Sequence, residues 1–229
     1  MNDHTSVFDD GTGYREPQEG GTSLSTVSSW LSSLEKREPG PTPGYSSAHA
    51  LLAFMIIGNA GSIGRQALAK SSGLGEGSIR TVLKKFRQIR YVAADTKGCH
   101  LTDSGKEFYQ TLSKKLTPVL PLPTTTLVVG SSQVAVLLRN GAASVGNGIE
   151  QRDSAVRAGA AGATTYVIRS GKFAVPGGSA DCEKDFPGKT WSALRDELKP
   201  KNGDAVILCG ALDEGTAKLG ALSAALTLL

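Results

Sequence analysis

Gly73-Leu74-Gly75-Glu76-Gly77-Ser78-Ile79-Arg80-Thr81-Val82-Leu83-Lys84-Lys85-Phe86-Arg87-Gln88 is the stretch whose pattern carries the fold. Ile79, Val82, Leu83 and Phe86 recur at i, i+3, i+4 and i+7, which predicts an amphipathic helix from about Gly77 to Ile89. Just ahead, Ser72-Gly73-Leu74-Gly75 reads as a tight turn holding one buried leucine. Arg65 to Ser71 reads as a shorter helix with Ala67 and Leu68 facing inward. Two helices joined by a short glycine-containing turn, the second strongly amphipathic, make a helix-turn-helix pattern.

Working outward, Ala48 to Ile57 is apolar nearly all round, as expected of a helix central to its domain, and Gly58-Asn59-Ala60-Gly61 ends it. Ser62-Ile63-Gly64 is a short extended piece. Downstream, Tyr91 to Ala94 and Cys99 to Leu101 flank Asp95-Thr96-Lys97-Gly98, a small hairpin in which Gly98 supplies a positive φ. Thr102 then caps a helix from Asp103 to Leu116 through its hydroxyl. Helix, helix, turn, helix, hairpin, helix over residues 45–117 is the order of a winged helix.

The outer face of the second helix of the motif carries Arg80, Lys84 and Arg87 at i, i+4 and i+7, beside Thr81, Lys85 and Gln88. A helix of this width fits the DNA major groove, where its first turn reaches base edges. There stand Glu76, Ser78, Arg80 and Thr81; Arg80 suits guanine, and Glu76 can accept from cytosine. Lys84, Lys85 and Arg87 suit phosphates, and Lys97 at the hairpin tip suits the backbone or minor groove. The plainer reading of the same charges is a solvated helix face.

Charge distribution favours the first reading. Residues 1–44 hold 3 Lys/Arg against 7 Asp/Glu, residues 45–117 hold 11 against 4, and residues 118–229 hold 11 against 10. The basic excess thus falls on the winged-helix segment, the part fitted to approach a polyanion. Residues 1–22 are acidic and glycine-rich, too poor in apolar residues to repay ordering, and are expected to be a disordered tail. Residues 23–44 read as a short amphipathic helix, with Leu24, Val27, Leu31 and Leu34 in one stripe beside Trp30, followed by a Pro/Gly linker. That stripe is expected to pack on the following domain rather than on a second subunit. Three scattered cysteines form no CxxC or disulfide framework, and no secretory or membrane-spanning segment is visible. These point to the cytoplasm, with no membrane partner.

Pro118, Pro121 and Pro123 suggest a linker at 118–125 and a second domain at 126–229. Its expected elements are a hairpin (Thr126–Val129 with Gln133–Leu138), a helix from Ile149 to Ala158 with Ile149, Ala155 and Val156 inward, and a Ser170-Gly171 hairpin. A helix from Trp191 to Leu198, a strand Asp204–Cys209 and a helix Glu214–Leu228 follow. The fold class is α+β: a winged helix-turn-helix domain followed by a C-terminal α/β layered domain with a mixed sheet. Ala217, Gly220, Ala221 and Ala224 would let the last helix approach closely, against the sheet or a dimer partner. Residues 118–229 contain no histidine, so a Ser-His-Asp or Cys-His site within them is excluded. Cys182 lies between Asp181 and Glu183, unfavourable for a thiolate, and Cys209 ends an apolar strand. No metal set is visible, no cofactor is implied, and the chain is expected not to be an enzyme.

Asn140 to Asp153 follows a strand and opens a helix, so its glycine-freed amides could face a ligand anion, with Arg139 and Arg152 adding charge. Arg139, Asn147, Gly148, Glu150, Arg152 and Asp153 are therefore the candidate ligand-binding residues, and Pro176-Gly177-Gly178-Ser179 would line the same concavity. The alternative is a loop whose Glu150 and Asp153 satisfy the helix dipole.

Glu38-Pro39-Gly40-Pro41, residues 73–85 and Leu101-Thr102-Asp103-Ser104-Gly105-Lys106 resemble an archaeal winged-helix family whose head is joined to a C-terminal domain of unknown function. Gly148-Ile149-Glu150-Gln151-Arg152-Asp153, residues 159–165, Pro176-Gly177-Gly178-Ser179 and Leu219-Gly220-Ala221-Leu222 resemble that second domain. The resemblance spans residues 35–229 and implies a transcriptional regulator, with no ligand or site residues for the second domain. The reading is thus a regulator that binds double-stranded DNA as a homodimer, with a small-molecule effector or dimerisation role for the C-terminal domain. The alternatives are an enzyme working through carboxylates such as Glu150 and Asp153, or a protein or RNA adaptor.

Overall fold

The computed structural model describes residues 24–35 and 44–229. The tail expected at 1–22 and residues 36–43 of the expected linker lie outside the described residues. Helix α1 (Leu24–Glu35) buries Val27 and Trp30; the side chains of Leu24 and Leu34 lie outside the described ones. Trp30 lies 5.2 Å from Phe54, 5.9 Å from Phe86 and 5.0 Å from Phe108 between ring centroids, so α1 packs onto its own chain.

The next elements are α2 (Ser47–Ala60), β1 (Ser62–Ile63), α3 (Arg65–Ser72), α4 (Glu76–Gln88), β2 (Val92–Asp95), β3 (Gly98–Leu101) and α5 (Asp103–Lys115). The three short strands pair antiparallel in the order β1-β3-β2. This is winged-helix architecture, and each signal behind it is local. Ile79, Val82 and Phe86 are fully buried, Leu83 nearly so. Thr102 Oγ1 accepts from the Gly105 amide at 3.1 Å, capping α5. Gly98 has φ +128°, and a Cβ there would sit 2.5 Å from the Ile63 carbonyl oxygen, so both conformation and space require glycine.

The second part adds β4 (Leu120–Leu122), β5 (Ser132–Leu138), α6 (Ile149–Arg157), β6 (Gly162–Arg169), β7 (Lys172–Ala174), α7 (Cys182–Asp185), α8 (Thr190–Leu198), β8 (Ala205–Ala211) and α9 (Glu214–Leu226). The strand order is β4-β5-β8-β6-β7, antiparallel at every pairing, which corrects the expected mixed sheet. β5 and β6 do run parallel to each other across α6. They are not neighbours, because β8 inserts between them and runs against both. Ser170 and Gly171, at φ 49° and 75°, make the expected tight turn between β6 and β7.

Two expectations around β5 fail together. Its hairpin partner is not Thr126–Val129 but Leu120-Pro121-Leu122, inside the supposed linker. Proline is tolerated there because β4 is an edge strand. Thr126–Val129 needs no strand partner, since the buried Gln133 side chain takes that role. Gln133 Nε2 donates to the carbonyls of Thr125, Val128 and Gly130 at 2.8–3.0 Å, and its Oε1 accepts from the Thr125 amide at 2.8 Å.

Helices α6 and α9 cover one face of the sheet, and α8 covers the other through Trp191, Leu194 and Leu198. Ala217, Gly220, Ala221 and Ala224 are buried within the chain rather than offered to a partner. A Cβ on Gly220 would lie 2.7 Å from both Ala160 Cβ and Cys209 Sγ, so the small residues let α9 settle on the sheet. The outer side of α9 packs on α2, and one apolar cluster runs from Trp30 through Leu51 and Ile57 to Ala221 and Ile207. The two parts are also stitched where α5 ends: Thr117 N donates to Leu137 O at 3.0 Å, and Arg139 N to Lys115 O at 2.8 Å.

Asp213 caps α9, accepting from the Thr216 amide at 2.9 Å and the Thr216 hydroxyl at 2.7 Å. Those bonds hold its carboxyl below the usual 3.8. A carboxyl more acidic folded than unfolded contributes stability that is complete above its unfolded pKa and is lost as pH falls through the lowered value. Asp213→Asn is therefore expected to flatten the acid limb of the stability–pH profile below about pH 4, followed by denaturant unfolding. An acid limb identical to wild type would contradict it.

Candidate nucleic-acid interface

The period that buries Ile79, Val82, Leu83 and Phe86 turns Glu76, Arg80, Thr81, Lys84 and Arg87 outward, all exposed. Arg80 and Arg87 enter no ion pair among the described residues. Thr81 donates back to the Gly77 carbonyl at 3.1 Å, so its hydroxyl proton is engaged while its oxygen faces solvent. Ser78 is half-buried, and its hydroxyl donates to the Gly44 carbonyl at 3.4 Å. That fixes the incoming chain alongside α4 rather than presenting a donor.

Lys85 corrects the sequence reading. It is 8% exposed, and its Nζ stands 5.9 Å from the centroid of the Tyr45 ring. One position beyond Lys84, it falls on the border between the outer stripe and Val82, and Tyr45 covers that border. A cation over an aromatic face is held there, not offered to a phosphate.

Lys97 is exposed at the hairpin tip. Asp95 Oδ1 accepts from the amides of Lys97 (2.7 Å) and Gly98 (3.2 Å), and Ser62 Oγ donates to the Lys97 carbonyl at 3.2 Å, so three hydrogen bonds shape the tip. The same β1–β3 junction brings in Arg65, exposed at the start of α3 just after the Ile63-Gly64 backbone that touches Gly98. Sequence reading passed it over: it lies 32 positions from Lys97, and only strand pairing makes them neighbours.

The expected ligand group in the second part does not assemble. Arg139 donates through Nη1 to Asp204 Oδ2 (2.7 Å) and the Lys199 carbonyl (3.0 Å), and through Nη2 to the Leu198 carbonyl (3.0 Å). It closes the C-terminus of α8 instead of facing the Gly148 segment. Asn147 Oδ1 accepts from the Ile149 amide at 3.1 Å, and Gly148, at φ +81°, starts α6. Glu150, Arg152 and Asp153 are exposed on α6. Its inward residues are Gln151 and Ala155, while Ile149 and Val156, expected inward, are 52% and 44% exposed. Gln151 Oε1 and Thr165 Oγ1, both buried, have no hydrogen-bond partner among the described residues. Two hollows lie away from this group. One of about 390 Å³ is lined by Thr125, Leu127, Phe186, Lys189, Thr190 and Trp191, and a shallower one of about 410 Å³ by Leu52, Ile56, Ile63 and Lys218.

Cys99, Cys182 and Cys209 are all buried, and burial pushes the Cys209 thiol up to about 12. No helix among the described residues is long and apolar enough to cross a membrane.

No curated protein shows significant similarity to this chain. Among solved structures, "Hypothetical protein PH0730 from Pyrococcus horikoshii OT3" superposes with a TM-score of 0.66 at 24% identity, covering 80% of this chain and 92% of that one. At that identity the likeness bears on the fold. Two family models match the two parts separately: residues 52–107 are similar to the "PH0730-like, N-terminal domain", and residues 129–228 to a "Domain of unknown function (DUF4443)".

Proposed function

We propose that this chain is a non-enzymatic, cytoplasmic DNA-binding transcriptional regulator that grips duplex DNA with α4 and the β2–β3 hairpin. The observation that carries the reading is the outer face of α4, where Arg80, Thr81, Lys84 and Arg87 are exposed on a winged helix whose segment holds the chain's basic excess. Arg80 is placed for base edges, and Lys84, Arg87, Lys97 and Arg65 for phosphates on either side. A small-molecule effector would sit in the hollow beside Lys189 and Trp191, since Arg139 is committed to Asp204.

The test is a titration of duplex DNA at several salt concentrations with wild type and an Arg80→Ala/Arg87→Ala variant. The variant is expected to bind at least about tenfold more weakly, with a salt slope shallower by roughly 1 to 2 units. Equal affinity and slope would remove α4 from the interface.

A further inference from the structure

The hollow beside α8 has walls whose chemistry selects one kind of occupant. At about 390 Å³ it falls in the range that holds small organic molecules. One side is residues 123–127, and the other is residues 186–191 with Ala193. Among the lining residues Lys189 alone is charged, and no carboxylate stands with it. Lys189 is exposed and enters no ion pair among the described residues. The sign of a charged ligand is therefore set: it is negative.

The polar side chains point to the same class. The Thr125 hydroxyl accepts from the Leu127 amide at 3.1 Å, which leaves its proton to donate. The hydroxyls of Thr126 and Thr190 make no hydrogen bond among the described residues. The Phe186 carbonyl, an acceptor close by, is already taken by Trp191 Nε1 at 2.8 Å. The wall thus offers hydroxyl donors and one cation. A carboxylate matches it, since it accepts through both oxygens and donates nothing.

Phe186 decides the rest of the ligand. Its ring lines the hollow yet is 56% exposed, and the half-buried Leu127 lines the same space. A flat apolar body laid on that ring would remove both surfaces from water. A bare inorganic anion would leave them wet.

We propose that this hollow binds a small organic carboxylate with a flat apolar body. The carboxylate lies on Lys189 and the threonine hydroxyls, and the body lies on Phe186 and Leu127. This ligand class rests on the reading of the hollow as the effector site.

Calorimetric titration of the full chain with cinnamate, its neutral counterpart cinnamamide and inorganic phosphate separates charge from shape. Cinnamate is expected to bind at a single site, about tenfold more tightly than cinnamamide. Phosphate is expected to bind more weakly than cinnamate. Lys189→Gln should weaken cinnamate about fivefold and leave cinnamamide unchanged, whereas Phe186→Ala should weaken both about threefold or more. Both side chains are exposed, so circular dichroism should show an unchanged fold. Cinnamate and cinnamamide bound equally well, with Lys189→Gln without effect, would overturn the carboxylate while leaving an effector site in place. Phosphate bound as tightly as cinnamate, or a Phe186→Ala variant that binds cinnamate like wild type, would overturn the apolar body. Neither cinnamate nor cinnamamide bound at millimolar concentration would overturn the ligand class together with the effector reading of this hollow.

Discussion

Asp204→Ala is expected to lower the melting temperature by roughly 6–12 °C, corresponding to about 3 kcal/mol in a chain of this size. Asp204 is 2% exposed and sits where β8 begins. Its carboxylate accepts from Arg139 Nη1 and the Lys201 amide through Oδ2, at 2.7 and 2.9 Å, and from the Asn140 amide through Oδ1 at 2.9 Å. Alanine leaves two backbone donors and a guanidinium without their acceptor in a poorly hydrated site, and such orphaned groups cost more than the pair gained. The Arg139 side chain retains 29% exposure and its two carbonyl partners at the end of α8, which keeps the loss at the lower end of the range for a broken buried pair. Arg139→Ala should cost less, because it removes the charge along with its need. The double variant should cost less than the two single losses combined. Calorimetry on the four proteins measures the coupling; a single loss below about 1 kcal/mol would make this an ordinary solvated ion pair.

Phe54→Ala is the second large effect, at about 4 kcal/mol. Phe54 is fully buried at the centre of an aromatic cluster, with ring centroids 5.2 Å from Trp30, 5.6 Å from Phe86 and Phe108, and 6.1 Å from Tyr91. Removing the ring leaves a cavity between α1, α2, α4 and α5 that tilted and edge-on neighbours cannot close without moving their helices. The consequence should extend past the winged helix. The same α2 packs on α9, which in turn rests on the C-terminal sheet, so the apolar cluster is continuous. Wild type should therefore melt in one cooperative transition, and Phe54→Ala should move that transition as a whole. Two separated transitions, with only one shifted, would mean that the α2–α9 contact is too weak to couple the parts.

Much of the winged helix was legible because its signals sit within a few consecutive residues. The period of α4, the Thr102 cap and the positive φ of Gly98, like the Ser170-Gly171 turn of the second part, each depend on φ, ψ and neighbours no more than about seven positions away. The misreadings share the opposite property. Lys85 was assigned to the outer face because the helix pattern cannot register Tyr45, 40 positions upstream, lying against it. Arg139 looked like a free cation beside a glycine-rich loop until β5 and β8 aligned and brought Asp204, 65 positions on, within 2.7 Å. Pro121 looks like punctuation in the sequence, although at a sheet edge its missing N–H costs nothing. On α6, apolar character placed Ile149 and Val156 inward, but packing against α9 and β6 buried Gln151 and Ala155.

By itself, the sequence determined the helices of eight residues or more, where the tight turns of the two hairpins at Gly98 and Ser170-Gly171 fall, and that a cationic stripe lies on the outer side of a helix-turn-helix. All of these follow from backbone conformation and side-chain period, which neighbouring residues set. Only the tertiary structure decided which charges stay available and which are consumed, how the five strands are ordered, and that the two parts share one core. Those outcomes depend on pairings between residues far apart in the chain, where burial and hydrogen-bond geometry, rather than local pattern, select the partner.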